Sequence, residues 1–191
     1  MSYLTEFPDF APADMPAIPA GFVDVSWHQD SCPSFFHAAV GLTVQIDHVD
    51  RDRREFPDGP RFAIFESDAE GARIDGGFEF ESDVWADVVA EIMARVDLVA
   101  HCWTRKDTGG GLRPWTRMIS DGRTIFLADD EGGNLGARGE RCSFSVWRGD
   151  VEIDSQSADD LAQALTMIAS LDADDPSKKS LPAPDDLAGI G

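Results

Sequence analysis

Two segments of the chain, SDVWADVVAEIMARVD (82–97) and SADDLAQALTMIASLD (157–172), carry the same helical period 75 residues apart. In the first, Trp85, Val89, Ile92 and Val96 fall on one stripe; in the second, Leu161, Leu165, Ile168 and Leu171 do. Each opens on a serine, Ser82 or Ser157, whose hydroxyl can accept from a free N–H of the first turn. The match extends upstream. GLTVQID (41–47) aligns with GRTIFLA (122–128), and RFAIF (61–65) with RCSFS (141–145). Val44, Ile46, Phe62 and Ile64 alternate as in half-buried strands, and so do Ile125, Leu127, Cys142 and Phe144. VDVSWHQD and LVAHCWTRKD set Trp27 opposite Trp103, and GGFEFES and DVEIDS supply the strand before each helix.

A chain written this way has few ways to fold. One four-stranded sheet with one helix leaves a face uncovered and is marginal alone, so two such units must bury their apolar faces together or join edge to edge. The expectation is an α+β body of two tandem β-β-β-β-α units, 22–97 and 98–172, with antiparallel sheets and an approximate two-fold axis. Residues 1–21, broken by Pro8, Pro12, Pro16, Pro19 and Gly21, read as an extended arm. The polar, proline-rich stretch 173–191 reads as a flexible tail.

Charge constrains function next. Thirty-six acidic residues against 16 basic ones leave −20 over 191 residues. Such a chain is repelled by nucleic acid and anionic membranes, because binding either needs Lys and Arg to neutralise phosphates. It is drawn to basic surfaces, where complementary fields raise association rates by about 10-fold to 10³-fold. High solubility or adaptation to a salty interior would give the same composition. No apolar run nears the ~20 residues of a membrane span, and the N-terminus has no basic or hydrophobic leader. Cys32, Cys102 and Cys142 are odd in number, with no C-x-x-C, which suits a reducing cytoplasm.

Candidate contact residues for a basic partner come from two acidic loops and one helix face. DHVDRD (47–52) supplies Asp47, Asp50 and Asp52; DDEGGN (129–134) supplies Asp129, Asp130 and Glu131, at the equivalent place in the second unit. Neither has calcium-loop spacing. Asp83, Asp87 and Glu91 recur every four residues, opposite the apolar stripe of the first helix. Trp27, Trp85 and Trp103 sit on periodic core positions, so packing is their expected role.

Other chemistry finds little support. Asp107-Thr108-Gly109 spells an aspartic-protease triplet, and Asp30 lies near the matching place in the first unit. The first copy reads D-S-C, however, and Arg105 and Lys106 would lower a carboxylate pKa where a shared proton needs it raised. DTGGGLRP therefore reads as a glycine-rich turn. His28, Cys32 and His37 lack a fourth ligand, and His101 and Cys102 would point to opposite faces of a strand, so no metal or other cofactor is expected. No nucleophile elbow, phosphate loop, dinucleotide fingerprint or H-E-x-x-H occurs, and no enzyme activity is expected.

PAGFVDVSWHQDSCPSF, residues 19–35, resembles the opening of small uncharacterised acidic proteins of bacterial mobile elements. The resemblance implies a genomic setting and no activity or site residue. The leading expectation is a non-enzymatic acidic binding protein that docks on a basic, nucleic-acid-binding partner, as anti-CRISPR and other nucleic-acid-mimic inhibitors do. A pseudo-dimeric small-ligand or peptide-binding domain is the alternative, and an aspartate-dependent hydrolase using Asp30 and Asp107 a third reading.

Overall fold

In the computed structural model, which describes residues 2–109 and 111–173, the chain is α+β with two five-stranded antiparallel sheets and three helices. A four-residue helix α1 (Tyr3–Glu6) opens it. The first sheet is a meander of β1 (Val23–Asp24), β2 (Ser34–His37), β3 (Leu42–Ile46), β4 (Phe62–Glu66) and β5 (Glu79–Ser82), in that order, and α2 (Trp85–Ala100) follows. The second runs β6 (Thr104–Arg105), β7 (Trp115–Met118), β8 (Thr124–Asp129), β9 (Cys142–Arg148) and β10 (Val151–Ala158), then α3 (Leu161–Ala173).

Each sheet thus has five strands where four were expected. The additional ones, β2 and β7, are four residues long, and their polar residues hide the alternation. Pairing with β3 and β8 on one side and with β1 and β6 on the other makes them strands. The tail expected at 173–191 lies, past residue 173, outside the described residues.

Alternation sets the inner faces. Val44 stands opposite Ile64, and Ile46 opposite Phe62; all four are nearly solvent-free. In the second sheet Ile125 faces Val146 and Leu127 faces Phe144, equally buried. Each such side chain contributes roughly 1.5–3 kcal/mol by leaving water. The sequence match puts Val44 on Ile125 and Ile64 on Phe144, yet Phe144 pairs with Leu127. The cross-strand registers therefore differ by two residues, an even shift that keeps the same faces inward.

The helices close these faces. Val88 and Ile92 of α2 pack under the first sheet, whereas Leu98 enters the core of the second, and Val99 touches both. Its buried stripe is Val88, Glu91, Ile92, Arg95 and Leu98; Trp85, Val89 and Val96 are only half-buried at its flank. α3 presents Leu161, Ala164 and Ile168 to the second sheet. The arm before residue 21 contributes too: Phe10 is buried in the first core beside Tyr3. The caps differ from expectation. Val84 occupies the N-cap of α2, and Ser82 Oγ accepts its N–H at 2.9 Å. Ser157 lies in β10, and Asp160 caps α3 by accepting the Gln163 N–H at 2.7 Å, while Gln163 reaches back to the Asp159 N–H.

The strand expected at 98–107 begins instead as the last turn of α2. Trp103 N–H donates to Leu98 O at 3.0 Å and Cys102 N–H to Val99 O at 3.0 Å, with Leu98 and Trp103 in the same core. This closure needs a left-handed residue at position 102, and Cys102 adopts it at φ 63°. A side chain there costs about 1–2 kcal/mol. Cys102→Gly is therefore expected to stabilise the protein by about 1 kcal/mol, raising Tm by roughly 2–4 °C in a scanning melt.

Candidate functional site

The first acidic loop is laced with arginines. Asp47 Oδ1 accepts the His48 N–H at 2.7 Å, and Asp50 caps a 3-10 turn at Arg51–Arg53 by accepting the Asp52 N–H at 3.1 Å. Arg54, almost fully buried, donates to His48 O and Gly59 O at 2.8 Å each. Arg51 and Arg54 both reach Asp83, at 2.8 and 3.1 Å, and Arg61 N–H donates to the same carboxylate at 3.0 Å. Partial desolvation works against the Asp83 carboxylate, but the hydrogen bonds from Arg54 and Arg61 N–H and the charge of Arg51 outweigh it and hold its pKa below the ordinary value. Asp83 is thus joined to the first loop as its internal brace.

The second loop is held by its own backbone. Asp129, at the end of β8, accepts the N–H groups of Glu131 at 2.9 Å and Gly133 at 2.6 Å. Asp130 lies 3.6 Å from Arg141, and Glu131 projects from the turn into solvent. Among the described residues no hydrogen bond or ion pair joins the first loop to the second.

The helix face needs a correction. Asp87 is exposed, but Glu91 is 3% exposed and lies on the buried side of α2. Its carboxylate accepts from Arg95 at 2.9 Å and from the Arg138 N–H at 3.0 Å, so it is not available to a docked partner. Asp83 precedes the helix. The regular four-residue spacing reflects no acidic ridge.

Both loops border concavities on the outer faces of the sheets, which the sequence did not reveal. The first, of about 350 Å³, is rimmed by Asp47, Glu55, Glu79 and Glu81 around Phe56 and Phe65. Phe56 is 69% exposed. Arg73 lies over the Phe65 ring at 5.2 Å and pairs with Glu79, so this trough already holds one guanidinium. The second, of about 460 Å³, has a floor of Phe126 and Trp147, with Lys106 5.0 Å above the Phe126 ring and Glu152 and Ser155 at its β10 side. Trp147 Nε1–H donates to Ser145 Oγ at 2.7 Å.

A third cavity, of about 400 Å³, opens where the two sheets' elements meet, between Trp103, Trp115, Glu66, Arg105 and Arg113. Trp103 and Trp115 are core residues and Trp85 packs beside Phe62, whereas Trp27, expected inside, is 42% exposed just beyond β1.

The remaining candidates resolve into structure. Asp107 accepts the Gly109 N–H at 2.8 Å and Thr108 closes onto Leu112 O, which makes the stretch a turn between β6 and β7. Asp30 is exposed in a separate turn. Burial and the Asp47 charge push the Cys32 thiol up to about 12; burial with Asp160 and Asp130 pushes Cys142 to about 11. Neither presents a thiolate at neutral pH. His28 lies 3.2 Å from Glu6, and His37 packs edge-on against Phe22. Among the described residues no three His, Cys, Asp or Glu side chains form a metal-holding group, and no helix is long and apolar enough to cross a membrane. No protein-family model, curated protein or solved structure matches the chain.

Proposed function

We propose that this chain is a non-enzymatic acidic binding protein that docks on a basic, nucleic-acid-binding partner and occupies the groove meant for phosphates. One observation carries the reading. Among the described residues the arginines, Arg148 apart, hydrogen-bond to or pair with carboxylates or backbone carbonyls of the same chain. Those guanidiniums brace the chain internally, and most of the carboxylates among the described residues are exposed. Around the first trough carboxylates are grouped with exposed Phe56, a combination suited to Lys and Arg side chains. A bacterial mobile element, the setting that residues 19–35 suggest, would bring such a protein against host nucleic-acid enzymes.

The test is retention of basic proteins on the immobilised full-length chain, with release by salt and by added DNA or RNA. The triple variant Asp47→Lys, Glu55→Lys, Glu81→Lys is expected to weaken retention about tenfold, chiefly through slower association. Unchanged retention by this variant and by Asp130→Lys, Glu131→Lys would overturn the reading. Binding indifferent to salt would instead favour small-ligand recognition in the Trp103–Trp115 cavity. As a further proposal, the two halves are copies of one unit about an approximate two-fold axis. Shared element order and face alternation support it, and the two-residue difference in register limits it to a loose relation.

A further inference from the structure

Among the described residues each sheet ends in two edge strands with one partner each, and three of the four are short: β1 and β6 have two residues each and β5 has four. β10 has eight, and among the described residues it pairs only with β9. A long edge presents a row of N–H and C=O groups that can template another strand. This one also leaves Val151 63% and Ile153 50% exposed, between the acidic side chains of Asp150, Glu152 and Asp154.

We propose that β10 is a docking edge to which an extended basic segment of the partner adds as a sixth strand of the second sheet. The inference rests on the acidic-binding reading above and adds to its trough and loop contacts a second one, with a strand geometry, on the second sheet. Charge complementarity selects the occupant. A second copy of this chain would set Glu152 and Asp154 against the same carboxylates, which opposes self-pairing. A neutral strand meets a different obstacle. Asp154 caps the Ser155 N–H at 2.9 Å and accepts from Gln156 at 2.8 Å, next to a register shift between Glu152 and Asp154. Displacing that exposed carboxylate gives up both hydrogen bonds to water unless the guest supplies a cation to hold it. A guest lysine or arginine does so and frees the Ser155 N–H for the guest's carbonyl. Glu152 and Ser155 also line the trough floored by Phe126 and Trp147, so alternate guest side chains fall toward an aromatic surface.

The experiment uses the full chain and a labelled ten-residue peptide alternating lysine and valine, read by fluorescence anisotropy. A second peptide has the same side chains but is N-methylated at every peptide bond, which keeps the charge and removes the strand-forming N–H groups. The methylated peptide is expected to bind at least tenfold more weakly than the parent. The parent is expected to lose at least tenfold against Glu152→Lys, Asp154→Lys, with unchanged circular dichroism showing that the variant folds. Equal binding of both peptides overturns strand addition and leaves the acidic-binding reading standing. Loss on methylation without sensitivity to the double variant places the strand elsewhere and overturns β10. If neither peptide binds, both readings fail. The peptide comparison needs no variant, so it holds even if the double variant does not fold.

Discussion

Glu66→Ala is expected to destabilise the protein by about 3–5 kcal/mol. Glu66 ends β4 on its inner face, opposite Leu42, at a place where parity calls for an apolar side chain. It is 4% exposed. Arg105 grips it through both Nε, at 3.1 Å, and Nη2; Arg113 adds a contact at 2.8 Å, and the Phe78 N–H one at 3.4 Å. Glu66 lies in β4 and Phe78 just before β5 of the first sheet; Arg105 lies in β6 and Arg113 in the connection to β7 of the second. The carboxylate therefore clips the two halves together. Removing it leaves two guanidiniums facing each other at the inner wall of the third cavity, Arg105 mostly buried and Arg113 29% exposed, which costs more than the pair itself contributes. Urea denaturation should show the midpoint falling by about 2 M with an unchanged slope, taking a slope of ~2 kcal/mol/M. A loss below about 1 kcal/mol would mean that water screens the cluster and that the seam is held by packing alone.

This seam was invisible in the sequence. Residue 66 is separated from residues 105 and 113 by 39 and 47 positions, and nothing local marks a glutamate at the end of an apolar strand as buried. The elements with strong periods were legible. Val44, Ile46, Ile64, Ile125, Leu127 and Phe144 all face inward as their alternation requires, and both long helices exist. What failed was short or context-dependent. β2 and β7 are strands because neighbours on both sides supply partners. Cys102 looked like a strand residue because a left-handed cysteine ending a helix violates the usual preference for glycine. The candidate contacts fared by the same rule. The loops around Asp47 and Asp129 stand where turn chemistry put them, but whether a carboxylate is free depends on which arginines fold back onto it. Asp83 is engaged by distant Arg51 and Arg54, and Asp87 is not.

Glu91 had a local signal that the acidic spacing obscured: Arg95 stands one turn later, the favourable order for a helical ion pair. Both are about 3% exposed, so the pair behaves as a buried one. Arg95 lies 3.2 Å from the Phe78 ring centre and donates to Gly136 O at 2.8 Å. Burial pushes its pKa down to about 10, against the pull of Glu91, and it still carries its charge at neutral pH. Glu91→Ala consequently strands a buried cation and leaves the Arg138 N–H without its acceptor; a loss of about 3–5 kcal/mol is expected in urea or thermal unfolding. The double variant Glu91→Leu, Arg95→Met removes both charges and fills the space with apolar side chains. It should be less destabilised than the sum of the single changes, with a coupling of about 2 kcal/mol in the double-mutant cycle. Recovery stays incomplete, because Gly136 O and Arg138 N–H each lose a partner at about 1–3 kcal/mol. Additive losses would instead place the two side chains in independent roles. The pair would then be two separate clamps on the 136–138 segment, and the second half would be held to α2 by backbone contacts rather than by charge.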